Sequence, residues 1–221
     1  MNDEEALEII HQRGYWRVVM HPAHFQKDRI SSVEDCLTMV ERSKVSLRGW
    51  DYPFFDQAQA SLGLDYVSLI EVSDFASEFW RFYQSGQFVH HFALQKVERY
   101  GKPGIELPDL IYQLTEIFEF ASRLAMRGVF DPGASIQVQL NNISSYLLCS
   151  RKGGGPLGRK YVASLNTLEW KRTLFVTDLL AASGDYALEA AESFIKAFHY
   201  SLDRRLLAEE QARLLERRLA V

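Results

Sequence analysis

One segment, residues 107–128, constrains the fold most because it carries the clearest helical pattern in the chain. It reads LPDLIYQLTEIFEFASRLAMRG, in which Pro108 suits the first turn of a helix and Gly128 suits its end. Its apolar side chains recur at intervals of three and four residues, which predicts one buried face. That face consists of Leu110, Leu114, Ile117, Phe118, Ala121 and Leu124. The chain therefore contains a long helix that packs against a core.

Several other segments carry the pattern of β-strands. After residue 133, Ile136, Val138 and Leu140 alternate with glutamines, which predicts a hairpin over 135–150. We expect its turn near Asn141 and Asn142. Further strands are predicted at YWRVVMHP (15–22), VSLRGW (45–50), LDYVSLIEV (64–72), FVHHFAL (88–94) and KYVASL (160–165).

One aromatic segment, SDFASEFWRFYQSG at 73–86, fits two different structures. Its aromatic residues recur at helical spacing, Ser73 can cap the start of a helix, and Gly86 can end it. We predict a helix here. A β-hairpin that turns through Ser85 and Gly86 is the alternative.

Helical patterns are also present near both ends of the chain. They cover 3–12, 31–45, 174–183, 185–198 and 207–220. In the second of these, Ser31 and Glu34 have the spacing of a capping box, and in the fourth Asp185 is the expected cap.

The combined pattern predicts an α+β fold, with mixed or antiparallel sheets packed with helices and a helical C-terminus. The segment VERYGKPGIE at 97–106 is polar and rich in turn residues. We therefore expect an N-terminal sub-lobe at 1–96 and a C-terminal sub-lobe with a helical tail at 107–221. One continuous domain is the alternative.

Composition limits the compartment and the partners. The chain has 221 residues and a formal net charge of −4, so any nucleic-acid binding needs a local basic patch. Its first residues, MNDEEALEII, do not resemble a signal peptide, and no apolar run reaches the roughly 18 residues of a membrane span. Cys36 and Cys149 fit free thiols in a reducing compartment. We expect a cytoplasmic protein without a membrane partner.

The glycine-rich stretch RKGGGPLGRKY at 151–161 is the most unusual in the chain. Its glycines have the spacing of a phosphate-binding loop, but the Lys and Ser/Thr that must follow are replaced, and a strand pattern follows instead of a helix. A mobile connection between strands is the simplest interpretation. The alternative is a basic loop that contacts phosphate groups through Arg151, Lys152, Arg159 and Lys160.

A second candidate site is LRGWDYPFF at 47–55, where Arg48 and Trp50 could stack on a base or anchor a partner. The competing interpretation is structural: Trp50 covers the core and Arg48 pairs with Asp51 or another acid. Arg81 is a third cation that a nucleic-acid interface would use.

The sequence does not predict an enzyme, a metal site or a cofactor. His21 and His24 are spaced as H-x-x-H, and His90 and His91 are adjacent, but neither pair has a carboxylate or cysteine at ligand spacing. Hydrolase, metalloprotease and kinase signatures are absent from the sequence.

The C-terminal helix is amphipathic and is a candidate partner interface. Its leucines gather on one side at 100° per residue, with charged side chains on the other. The predicted interface consists of Leu207, Leu214, Leu215 and Leu219. Docking of this helix on its own domain is the alternative.

Four segments together resemble a known bacterial module. They are GYWRVVMHP, LRGWDYPFF, FWRFYQSGQFVHHFAL and FEFASRLAMRGVF. The chain resembles, over most of residues 14–200, an uncharacterised bacterial module that accompanies Schlafen-type, Alba-like domains thought to bind nucleic acid or ATP. The resemblance carries no catalytic signature. It implies a regulatory or accessory subunit, of a bacterial stress or anti-phage defence system, whose partner is encoded separately.

Two hypotheses about function follow. The first is a non-catalytic interaction subunit that binds another protein subunit or forms a homo-oligomer. The second is a nucleic-acid or nucleotide binder that uses the loop at 151–160 together with Arg48, Trp50 and Arg81. Salt separates the two, because binding to phosphate weakens steeply as salt rises whereas an apolar interface responds little.

Overall fold

The computed structural model describes residues 1–73, 76–150, 157 and 161–216. The helices are α1 (Asp3–His11), α2 (Val33–Ser43), α3 (Leu107–Met126), α4 (Val176–Lys196) and α5 (Arg204–Leu215). The strands are β1 (Tyr15–Pro22), β2 (Ser61–Leu62), β3 (Tyr66–Val72), β4 (Ser77–Tyr83), β5 (Phe88–Ala93), β6 (Glu98–Arg99), β7 (Lys102–Glu106), β8 (Gly133–Asn141), β9 (Leu147–Cys149) and β10 (Thr167–Phe175). The predicted α+β class is confirmed.

Seven strands form one antiparallel sheet in the order β10-β8-β1-β5-β4-β3-β2. A small second sheet has the order β6-β7-β9, and β7 and β9 run parallel in it. In the large sheet β1 lies between β5 and β8, and its pairing with β8 extends from Tyr15 opposite Asn141 to Pro22 opposite Ala134. The large sheet thus combines strands from both of the predicted sub-lobes.

The inner face of the large sheet carries the core, because alternate side chains of its strands point to the same side. α3 packs on this face through its aromatic residues. The ring centroids of Phe118 and Trp170 lie 5.0 Å apart, and those of Phe120 and Phe88 lie 4.9 Å apart. α2, α4 and α5 then pack against α3.

α1 covers part of the outer face, over β3, β4 and β5. Ala6 and Ile10 are its buried residues, and Asp3 at its start forms an ion pair with Arg81 of β4. At its end His11 Nε2 lies 3.1 Å from His91 Nδ1 on β5. Polar contacts therefore join the helix to the sheet at both ends.

The segment predicted as a helix at 73–86 contains a strand, so this prediction was wrong and the hairpin alternative is the observed structure. Residues 74 and 75 lie outside the described part. β4 pairs with β3 on one side and β5 on the other, and Gly86 takes a φ of +83° in the turn that follows. Both faces of β4 are covered, by α1 and by the core, so aromatic side chains occupy both faces. The alternation of apolar and polar residues that would indicate a strand is lost for that reason.

Other strand predictions were also wrong in part. The expected hairpin at 135–150 does not form, because β8 pairs with β1 and β10 whereas β9 joins the small sheet beside β7. The expected strand at 45–50 is reduced to a single bridge between Val45 and Tyr52. In 160–165, Val162 forms one bridge with Leu147, and the strand begins only at Thr167.

Two helix starts differ from the prediction. Ser32, not Ser31, caps α2 and accepts a hydrogen bond from the Asp35 amide at 3.0 Å. The two helices expected after residue 174 form one kinked helix, α4, whose backbone departs from helical geometry at Ala182. Asp185 therefore lies inside α4 and does not cap it.

α5 docks on its own chain, which corrects half of the predicted partner interface. Leu207 and Leu214 are almost completely buried, and α5 contacts α3 and α4. Buried Gln211 donates to the Thr115 hydroxyl at 3.1 Å and to the Gly184 carbonyl at 3.0 Å. Neither buried leucine is available to a partner. Leu215 is 47% exposed, and Leu219 lies outside the described residues.

Replacement of Leu214 by alanine tests the docking of α5. We expect the free energy of unfolding to fall by about 2–5 kcal/mol, because a buried leucine is removed and a cavity is left. Urea denaturation followed by circular dichroism measures this. The matched control is Leu215→Ala, which should change stability by less than about 0.5 kcal/mol since its side chain is exposed. Equal effects of the two substitutions would contradict the docked arrangement.

The contact between α1 and the sheet predicts a dependence of stability on pH. Burial lowers the pKa of His91 to about 3, with help from the nearby His11 and Arg17. In the unfolded chain this imidazole takes up a proton near its ordinary pKa of about 6.5, so its contribution is complete above that pH and is lost as pH falls toward 3.

We expect the wild-type chain to lose about 2 kcal/mol more stability between pH 7 and pH 5 than a His91→Asn variant. Urea denaturation at both pH values gives the difference. Parallel pH profiles for the two proteins would show that His91 is not held neutral in the fold.

Candidate ligand-binding site

A cavity of about 570 Å³ opens beside the inner face of the large sheet. Its walls come from the segment 48–54 after α2, from β4 and β5, and from Gln113 on α3. A smaller cavity of about 60 Å³ lies next to it, and Arg48, Phe92 and Gln113 line both. Together they form the candidate site.

A compact loop places two of the predicted residues at this cavity. Val45 and Tyr52 exchange backbone hydrogen bonds of 2.8 Å, which close the loop between them. Lys44 Nζ lies 2.7 Å from the Asp51 carboxylate, which also accepts a hydrogen bond from Ser46. Gly49 takes a φ of +93° between Arg48 and Trp50, a conformation that a side chain would strain.

Arg48 is anchored on α3 by a buried ion pair. Its Nη2 lies 2.5 Å from Glu116 Oε2, and its Nε donates to the same carboxylate. The Arg48 side chain is 7% exposed and that of Glu116 is fully buried. Burial raises the pKa of Glu116 while Arg48 acts in the opposite direction. The sequence interpretation that Arg48 pairs with an acid is confirmed, with Glu116 in place of Asp51.

Trp50 does not cover the core, contrary to the structural interpretation. Its side chain is 50% exposed, and the Arg48 guanidinium lies 4.8 Å from its ring centre. An exposed indole supported by a cation is a platform on which a second planar group can stack. Trp50 is therefore better suited to contact a ligand than to stabilise the fold.

A buried chain of polar side chains forms another wall. His90 Nε2 lies 2.8 Å from Glu78 Oε2, and its Nδ1 lies 3.4 Å from the Tyr52 hydroxyl. Glu78 also accepts a hydrogen bond from the Phe54 amide at 3.2 Å. Burial, with the nearby Glu78 and Glu116 carboxylates, raises the pKa of Tyr52 well above its usual value. The phenol therefore stays protonated and can donate a hydrogen bond.

Two further cations line the cavity, Arg13 and Lys96. Within the described part of the chain neither forms a salt bridge, whereas the cavity's Asp51 and Glu78 are each paired with a basic side chain. The two cations are therefore available to an anionic group on a ligand.

Gln113 contributes a hydrogen-bond donor that is not used. Its Oε1 accepts from Arg48 Nη2 at 2.8 Å, which fixes the orientation of the amide. Its Nε2 is buried and has no hydrogen-bond partner among the described residues. A buried donor without a partner is costly, so an acceptor on a ligand would stabilise this side chain.

The structure separates the predicted site residues. Arg48 and Trp50 lie together at the cavity, whereas Arg81 points to the opposite face of the sheet and stacks on Tyr66 at 4.0 Å. Arg151, Lys152, Arg159 and Lys160 lie outside the described residues. The described residues contain no group of three His, Cys, Asp or Glu side chains that could hold a metal ion.

Sequence reasoning missed six residues of the site: Arg13, Glu78, His90, Lys96, Gln113 and Glu116. One signal was present for the last two. Gln113 and Glu116 adjoin the apolar positions of the long helix, and Glu116 is fully enclosed there. A glutamate is seldom fully buried without a partner. No comparable signal marked Glu78 or His90, because their contact depends on the pairing of β4 with β5.

Comparison with known proteins leaves the site to be interpreted from its own geometry. No family model matches the chain, and no curated protein and no solved structure matches it. No helix in the described residues is long and apolar enough to cross a membrane.

Replacement of Arg48 by methionine tests the buried ion pair. At pH 7 the free energy of unfolding should fall by about 3–5 kcal/mol, because the charge of Glu116 is left buried without its partner. The loss relative to wild type should shrink as pH falls, since the raised pKa of Glu116 lets it take up a proton. Urea denaturation between pH 7 and pH 4.5 measures both effects.

Glu116→Gln in the same background is the control for this experiment. It removes the titrating group, so the effect of Arg48→Met measured against Glu116→Gln alone should not depend on pH. A loss in Arg48→Met that is the same at both pH values would contradict a charged Glu116 in the fold.

Proposed function

We propose that this chain is a binding protein whose cavity holds a nucleotide-like ligand, a planar ring that carries an anionic group. The observation that supports this most is that the exposed Trp50 ring lines the same cavity as Arg13 and Lys96, two cations that form no salt bridge within the described residues. This combination favours the second hypothesis of the sequence analysis, a nucleotide binder. We propose the cavity as its binding site in place of the loop at 151–160.

The size of the cavity supports a small ligand. Pockets for small molecules measure roughly 300–1,000 Å³, and this cavity of about 570 Å³ lies within that range. Stacking of a base on an aromatic side chain contributes about 1–3 kcal/mol per base. A ring on Trp50 would therefore supply a substantial part of the affinity.

Each polar group at the cavity can be matched to a part of the proposed ligand other than the stacked ring face. Arg13 and Lys96 would neutralise the phosphate, and the free Gln113 amide would donate to an acceptor on the ring. The Arg48 guanidinium is already paired with Glu116. Its role would be to pack against the Trp50 ring and hold it in place. In this proposal the regulatory role suggested by the sequence would depend on occupancy of the cavity.

Tryptophan fluorescence provides a direct test. Of the four tryptophans, Trp16, Trp80 and Trp170 are buried and Trp50 is exposed, so a stacking ligand should quench mainly Trp50. The probes are AMP, GMP, CMP and UMP, with inorganic phosphate and the nucleosides as partial ligands. We expect at least one mononucleotide to quench the emission in wild type, and this signal to be lost in Trp50→Phe.

Calorimetry with the best mononucleotide separates the contributions. Trp50→Ala should weaken binding by roughly 5- to 150-fold, the equivalent of one stacking contact. Lys96→Ala should weaken binding and reduce its dependence on salt. Lys102→Ala is the matched control, because Lys102 is exposed and lies outside the cavity.

Three results would overturn the proposal. One is the absence of binding by all four mononucleotides at millimolar concentration. Another is binding that neither Trp50→Ala nor Lys96→Ala weakens. Binding of single-stranded oligonucleotides without binding of mononucleotides would point instead to a nucleic-acid interface.

A further inference from the structure

The large sheet has one long edge that pairs with no further strand of the described residues. β10 is its terminal strand and has nine residues, whereas the strand at the other edge, β2, has two. β8 pairs with β10 along one side. Among the described residues, none hydrogen-bonds to the backbone of 167–175 from the other side. Such an edge is a template for another strand.

The outward-facing side chains of this edge form an unusual sequence. Thr167, Glu169, Lys171, Thr173 and Phe175 all lie on the outer face and are exposed. Phe175 is 67% exposed, and Leu165, just before the strand, is 55% exposed. Counting every second residue outward from Glu169 and from Lys171, each direction gives a charged residue, then a threonine, then a large apolar residue.

We propose that β10 pairs in antiparallel orientation with β10 of a second copy of this chain, around a two-fold axis at Trp170. In a two-fold pairing, residues equally far from the central residue lie opposite each other. Glu169 then faces Lys171 of the other copy, and Thr167 faces Thr173. Phe175 at the end of each β10 then lies near the bend that holds Leu165 of the other copy.

The charges favour this register over the two registers whose centres lie one residue away. A pairing centred on Glu169 would place two glutamates opposite each other, and one centred on Lys171 would place two lysines opposite each other. Opposite charges on facing strands stabilise a sheet and like charges destabilise it. The register centred on Trp170 instead forms two Glu-Lys pairs, because each contact occurs twice in a symmetric dimer.

The surroundings of Glu169 and Lys171 are compatible with this pairing. A lysine on an edge strand commonly prevents pairing, but here Glu169 supplies the opposite charge two residues away on the same face. Glu169 accepts hydrogen bonds from Gln137 Nε2 at 2.9 Å and Gln139 Nε2 at 2.6 Å, which hold its carboxylate over the sheet. These bonds lower the pKa of Glu169, so it stays charged. Lys171 forms no salt bridge within the described residues.

Charge reversal tests the register in solution. Sedimentation velocity and light scattering should show a dimer of the wild-type chain. Lys171→Glu and Glu169→Lys should each weaken dimerisation by at least about tenfold, since two attractive pairs become two repulsive ones. The double variant Glu169→Lys/Lys171→Glu should restore the dimer. Lys102→Glu, an exposed charge change on β7, is the control and should leave the dimer intact.

A cysteine pair provides a second test that leaves the charges unchanged. In a Cys149→Ser background, Thr167→Cys combined with Thr173→Cys should form a covalent dimer under mild oxidation, because each new thiol faces the other across the two-fold axis. Neither single variant should cross-link, since each cysteine then faces a threonine.

Several outcomes would overturn the proposed dimer. One is a wild-type chain that remains a monomer up to about 100 µM. Another is a dimer whose stability is unchanged by Lys171→Glu and by Glu169→Lys. Cross-linking by a single cysteine variant would show a different register. Circular dichroism of every variant excludes misfolding as the cause of dissociation. None of these measurements depends on the ligand proposed for the cavity.

Discussion

The enclosure of α3 is the constraint on which the rest of the structure depends. The sequence indicates one apolar face on this helix, yet thirteen of its twenty residues are buried, and they lie all round the helix. The sheet covers one side, and α2, α4 and α5 cover others. A helix surrounded in this way fixes where every layer lies, since each neighbour must fit its side chains.

The same enclosure explains the geometry of the candidate site. Glu116 on α3 is completely buried, and a buried carboxylate needs a partner to offset its lost hydration. Arg48 supplies that partner from the loop after α2, so the loop is drawn against α3 and Trp50 is left at the surface. Loss of the ion pair would therefore affect stability and the platform for a ligand together. The buried charge of Glu116 thus affects both how the loop packs on α3 and the shape of the cavity.

Local patterns in the sequence predicted the elements whose apolar side chains recur with a clear period. α1, α3, β1, β3 and β5 appear close to their expected bounds because each alternates or recurs with the period of its structure. β4 was mistaken for a helix since both of its faces are covered. The partners of β8 and β9 could not be predicted, because sheet pairing is decided by contacts between distant segments. The site depends on the same long-range contacts: Arg48 and Trp50 could be proposed from local chemistry, but Glu78 and His90 could not.

The two proposed surfaces lie on different parts of the sheet and share no residue. The cavity is built beside β4 and β5, whereas the open edge is β10, with β8 and β1 between β10 and β5. At about 4.8 Å per strand, the edge lies some three strand spacings, about 14 Å, from β5. α3 contacts both regions, through Gln113 at the cavity and through Phe118 against Trp170 at the centre of β10. Because neither surface contributes a side chain to the other, dimer formation leaves the cavity complete in each copy. Any energetic coupling between ligand and dimer must therefore pass through the intervening strands β8 and β1 or through α3 packed on the sheet.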